Sequence, residues 1–172
     1  MANRDNPRGF WPYAHLCGGE IRTMEFVVTT GATVYKGDVL KIVAAGTVEP
    51  AAADIGLAAI GVAADYVDDS ASAGGKKVLV YADPYIMFGC QMDDVGTAST
   101  AADIGQTANH LVTAGSTTTK MSGHELDMSD IGTGAQFKII GLIPEPDNAW
   151  GANGDLVVIF NEHLYKAAVA GV

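Results

Sequence analysis

From Met24 onward the chain is written in short apolar and β-branched runs, each closed by glycine, proline, asparagine or aspartate. Residues 26–30 (Phe-Val-Val-Thr-Thr), ended by Gly31, and residues 39–43, held between Gly37-Asp38 and Gly46, have the length and composition of strands. Residues 57–67 and 77–82 predict two more, paired across the polar, glycine-rich loop 68–75. Residues 85–88 follow Pro84 and form a further short strand, whose aromatic content predicts burial. The run 136–143 is another, stopped by Pro144 and Pro146. After a long loop closed by Asn153-Gly154, the strongly apolar run 156–160 predicts a central strand. Residues 93–119 carry neither a helix nor a strand period, so no element is assigned there. Residues 161–170 suit a short helical turn or a second extended tail. The phrase Ala-Asp-Ile-Gly occurs at 53–56 and again at 102–105, which is recurrent turn chemistry rather than a repeat.

The first nineteen residues break this rhythm. Pro7 and Pro12 remove amide donors and push Asn6 and Trp11 toward extended geometry, while Gly9, Gly18 and Gly19 loosen the rest. Phe10, Trp11, Tyr13 and Leu16 carry a large apolar area that must lie on a surface, either this protein's own body or a neighbouring molecule. The expected organisation is an extended N-terminal arm (1–23), a β-rich body (24–166) and a short C-terminal tail (167–172).

Composition sharpens the fold class. With 21 glycines, 48% hydrophobic and only 17% charged residues among 172, the chain is poor in helix formers and rich in turn makers. A mainly all-β domain follows, a small body of β-barrel or β-sandwich type. The corner Gly37-Asp38 looks like the one that precedes a strand in lipoyl- and biotin-carrier barrels, but no lysine stands at a hairpin tip between small or acidic neighbours. The net charge of −10, with no basic cluster, excludes nucleic acid as an expected partner. Cys17 and Cys90, far apart and without a partner motif, are expected to be two reduced thiols. No signal-peptide pattern and no membrane-length apolar run is present, so synthesis in the cytoplasm and no membrane partner are expected.

The chemistry-bearing residues do not form a recognisable centre. His15, His110, His124 and His163 have no metal-ligand spacing, and neither a nucleophile elbow nor a phosphate-binding glycine loop occurs. His15 with Cys17 could share a site, but both are expected to be packing residues. His124-Glu125 is expected to be a strand-edge histidine beside a surface carboxylate. Asp68-Asp69 and Asp93-Asp94 are expected in solvated loops. No enzymatic activity, cofactor or metal is therefore predicted.

Several blocks carry a resemblance. Asn3-Arg4-Asp5-Asn6-Pro7-Arg8-Gly9-Phe10, then Pro12, His15-Leu16 and Gly18-Gly19, together with Ser122-Gly123-His124-Glu125-Leu126-Asp127 and residues 157–165, resemble the corresponding blocks of head decoration (cement) proteins of tailed bacteriophages. Between them the likeness is one of pattern: the Gly-Asp corner, Ile60-Gly61-Val62-Ala63, and a Gly-Gly-Lys turn before a strand. That resemblance implies a non-enzymatic homotrimer on the outer surface of an icosahedral phage capsid, whose arm clamps major capsid protein subunits and stabilises the shell. It implies Asn6, Pro7, Arg8, Phe10, Trp11, Pro12, Tyr13, His15 and Leu16 as the partner-binding residues. The alternatives are a phage tail or fibre component with the same arm logic, or a small β-barrel hydrolase or carrier using His15 with Cys17, or Lys36.

Overall fold

A computed structural model describes residues 3–53, 59–71, 74–96 and 98–166. The proposed tail 167–172, the phrase at 54–56, the first two residues of the expected strand 57–67 and part of the loop 68–75 lie outside these. The strands run β1 (Trp11–His15), β2 (Met24–Val27), β3 (Thr33–Val34), β4 (Val39–Ile42), β5 (Val48–Pro50), β6 (Gly61–Ala63), β7 (Val67–Asp68), β8 (Lys77–Tyr81), β9 (Ile86–Gln91), β10 (Thr107–Ala108), β11 (His110–Leu111), β12 (Glu125–Leu126), β13 (Phe137–Leu142) and β14 (Asp155–Phe160). One 3-10 turn occurs among the described residues, Ala101–Asp103, capped by Thr100 and Asp103. The protein is all-β, as its sequence pattern predicts.

Two five-stranded antiparallel sheets form the body. One has the order β1-β9-β14-β13-β10 and the other β2-β8-β6-β4-β5; β11-β12 and β3-β7 make two small ribbons. Among the described residues no closed barrel forms, although Val28, just past β2, bridges Val48 of β5 and the Thr29 amide donates to the Val48 carbonyl; β1, β10 and residues 24–27 of β2 remain edges. The apolar run 156–160 is the middle strand of its sheet, flanked by β9 and β13, which explains why both its faces are covered. Strand β8, exposed on one face, alternates instead, with Val78 and Val80 inward and Lys77 and Leu79 outward.

Two apolar clusters hold the sheets. The first gathers Phe88, Phe137, Leu156, Val158 and Phe160 from one sheet, Val39 and Val62 from the other, and Phe10 from the segment just before β1. The second, including Leu40, Ile60, Val78 and Val80, covers the opposite side of the second sheet. Aromatic contacts knit the first cluster: Phe10 stacks on Phe137 at 4.7 Å between centroids, and Phe160 lies 4.5 Å from Phe137 and 5.5 Å from Phe88.

Residues 93–119, to which no element is assigned from sequence, contain the 3-10 turn and the short strands β10 and β11. Their pairing comes from distant partners, with Thr107-Ala108 on Lys138-Phe137 and His110-Leu111 on Leu126-Glu125, so a local period could not reveal it.

Candidate functional site

The N-terminal segment is not a free arm. Its residues 11–15 form β1, the outermost strand beside β9, with Trp11 opposite Gly89 and His15 opposite Ile86. Two prolines argue against a regular element in the sequence, but an edge strand bonds to only one neighbour, so Pro12 can lie opposite Phe88 where a central strand would lose a ladder bond. The register shifts between Pro12 and Ala14, leaving Tyr13 as the bulged residue, and its side chain stays exposed.

Each residue expected to bind a partner can now be placed. Phe10 is 2% exposed and belongs to the protein's own core, a correction to its assignment as an intermolecular anchor. Trp11 is half-buried, and its indole lies where Gly89 has no side chain; a Cβ there would overlap the ring. The Arg8 guanidinium sits 4.1 Å from the centre of the Trp11 ring and donates to Asp155 Oδ2 at 3.0 Å. Asn6 N–H donates to Gln91 Oε1, while Gln91 Nε2 donates to the carbonyls of Arg4 and Asn153. Pro7 and Pro12 are half-buried. Gly9, at φ +72°, lets the chain pass the Gly37 corner, whose carbonyl would stand 2.7 Å from an added Cβ. Apolar area that needed a surface has found it on the same chain for Phe10 and in part for Trp11. Tyr13 and Leu16 have not, at 42% and 54% exposed.

Asn3, outside the expected set, reinforces the same docking. Its amide donates to the carbonyls of Ala149 and Ala152 and its Oδ1 accepts from Ala149 N–H. The signal was the asparagine itself, a residue that completes turns. Its partners, nearly the length of the chain away, were not readable.

His15 organises a turn. Nδ1 accepts from the amides of Cys17 (3.2 Å) and Gly19 (3.1 Å), so the ring hydrogen sits on Nε2, which faces Asp83 Oδ2 at 3.2 Å. Cys17 contributes its backbone rather than its thiol to this arrangement. The Gly37-Asp38 corner forms as expected, with Asp38 Oδ2 accepting from Tyr35 N–H at 2.7 Å. Lys36, the other carrier candidate, is bonded through its backbone to Lys120 and Ser122.

His124 and Glu125, expected at the surface, are both buried, because β12 lies inside the body beside β11 and near β9. His124 Nε2 is 3.6 Å from Asp38 Oδ1, and the His110 ring lies 5.1 Å from the His124 ring. Burial drives His124 down to about 3, with His110 adding to the fall. Burial drives Asp38 up to about 6 against hydrogen bonds from Ser122 and Tyr35. The two are therefore both neutral between about pH 3 and 6, and the contact is not an ion pair there. Asp69 and Asp93, expected in solvated loops, are also buried; the Asp93 carboxylate accepts from Met128 N–H. Among the described residues no group of three or more His, Cys, Asp or Glu is arranged to hold a metal ion, and no helix is long and apolar enough to cross a membrane.

No protein-family model, no curated protein and no solved structure matches this chain.

Proposed function

We propose that this protein is a structural component of a tailed-phage particle, binding the outer surface of an icosahedral capsid as a homotrimer and stabilising the shell by holding major capsid protein subunits together. The observation that carries this is spatial: the separated blocks behind the resemblance converge in the fold. Gly9 packs against Ser122, Arg8 reaches Asp155 beside the block 157–165, and Asp83 joins His15 to the neighbourhood of His163. Stretches at the start, middle and end of the chain thus form one structural unit.

Within this function the N-terminal segment divides its labour. Phe10, Trp11 and Arg8 fix it to the body; Tyr13 and Leu16, left exposed at the bulge and at the end of β1, face the shell or a neighbouring copy. Three copies of such a contact act together, so a weak single contact gains about 10²–10⁴ in avidity. Binding only the assembled lattice stabilises that lattice by mass action.

The test is co-sedimentation with expanded, undecorated shells. Wild-type protein is expected to bind as a trimer, and the double variant Tyr13→Ser/Leu16→Ser at least tenfold more weakly with an unchanged melting temperature. Undiminished binding by that variant contradicts the role given to these two side chains, and a monomer in sedimentation equilibrium contradicts the avidity argument.

A further inference from the structure

A groove of about 550 Å³ opens where the two sheets present their free edges. Met24 begins β2, the outer strand of one sheet; β1 is the outer strand of the other; the turn holding Asp83, Pro84 and Tyr85 joins β8 to β9, their inner neighbours. Met24, Tyr85 and Tyr165 line this groove and are each about half exposed, at 51%, 50% and 50%. Leu16, also exposed, is tied to it by the hydrogen bond its N–H donates to the Tyr85 carbonyl. This is a concentration of apolar surface that water does not favour.

One carboxylate stands in it. Asp83 Oδ1 accepts from Tyr85 N–H at 2.8 Å and Oδ2 faces His15 Nε2 at 3.2 Å, yet the side chain is 41% exposed. Burial raises its pKa, but the Tyr85 amide and His15 outweigh that and hold it below the usual carboxylate range, so it is charged at neutral pH. The one cationic side chain that also lines the groove, Arg22, is bonded twice to Glu20, at 3.0 and 2.9 Å. Tyrosine faces beside a fixed carboxylate attract an organic cation. Asp83 Oδ1 and Oδ2 each already accept one hydrogen bond, and the acceptor direction left on each suits a compact ammonium. The alkyl stem of lysine would lie on Met24 and Pro84.

We propose that this groove docks an extended segment of a partner protein, which inserts a lysine side chain between Tyr85 and Tyr165 against Asp83 and runs its backbone along the open edge of β2. Charge favours the occupant: Asp83 is a fixed carboxylate among apolar side chains, and a basic segment is attracted to it and to a chain of net charge −10. The free edge supplies unpaired backbone groups, and the side-chain slot supplies selectivity. The inference rests on the groove alone, not on the particle assignment, and a partner other than a capsid subunit would satisfy it equally.

The test is an NMR titration of the isotope-labelled full chain with three probes: the peptide acetyl-Thr-Val-Lys-Val-Thr-amide, the same peptide with norleucine for lysine, and tetramethylammonium chloride. The lysine peptide is expected to shift the amides of Met24 and Tyr85 and to bind at least fivefold more tightly than the norleucine peptide. Asp83→Asn and Tyr165→Ala are each expected to weaken it at least fivefold. Should Asp83→Asn disturb its turn, seen as a moved Leu16 amide without ligand, Tyr165→Ala carries the test. Equal binding of the two peptides, shifts confined to another surface, or unchanged affinity in Tyr165→Ala overturns the proposal. So does binding of tetramethylammonium without the peptide, which makes the groove a small-cation site, or self-association abolished by Met24→Lys, which makes the occupant a second copy.

Discussion

Phe10 sits between the N-terminal segment and the aromatic core, stacked on Phe137 and almost wholly enclosed. Phe10→Ala is expected to cost about 3–5 kcal/mol, the usual range for emptying a buried phenylalanine site, and a urea-unfolding midpoint measures it directly. A negligible loss would mean that the segment is not part of the cooperative unit. The buried ionisable groups predict the response to pH. His124 and His163 are lowered by burial from 6.5 to about 3 and about 4, so the unfolded chain binds more protons than the folded one between these values. Their contribution to stability is complete above pH 6.5 and is lost as the pH falls toward 3. For His124 the full range corresponds to about 3–5 kcal/mol. Asp38 and Glu125 have the opposite sign: burial raises them from 3.8 to about 6 and from 4.5 to about 7, with Asp5, Asp93 and Asp94 adding to the Glu125 shift. Their contribution is present below their ordinary values and is lost as the pH rises through 6 and 7. His124→Asn is thus expected to flatten the acid side of a melting-temperature profile, and Glu125→Gln to flatten its decline between pH 4.5 and 7. Parallel profiles for wild type and variants would contradict these assignments.

At the scale of elements, β1 covers β9 and completes a five-stranded sheet. Deleting residues 1–16 removes this strand, Phe10 and the Arg8–Asp155 bond together, so the remainder is expected to bind a hydrophobic dye and to lose cooperative unfolding. A truncated chain that melts as sharply as wild type would show the segment to be dispensable. The body's strands were legible in the sequence because residues 39–43, 77–82, 136–143 and 156–160 carry their period or their continuous apolarity locally. β1 was not, because Pro12 and the bulge at Tyr13 are tolerated only by virtue of an edge position, which is a tertiary fact. Closure also escaped the sequence: the same alternation serves a barrel or two open sheets, and only pairing decides between them. The groove was hidden for a related reason. Met24, Asp83 and Tyr165 come from three distant stretches, and nothing near any one of them marks the others.

At the scale of the whole molecule, a strongly acidic surface, an all-β body and exposed apolar groups near its free edges suit an exterior position among other proteins. On the proposed function, this acidity would keep the protein away from packaged nucleic acid. Exposed Tyr13 and Leu16 at one edge, and the tyrosine-lined groove beside them, are surfaces that a monomer leaves wet. An image reconstruction of tailed-phage shells mixed with this protein tests the proposed function most directly. The account predicts trimeric density on the outside of the shell at three-fold and quasi-three-fold positions, with Tyr13 and Leu16 against another chain. Density confined to a tail or fibre, or a shell bare of this protein, would contradict it.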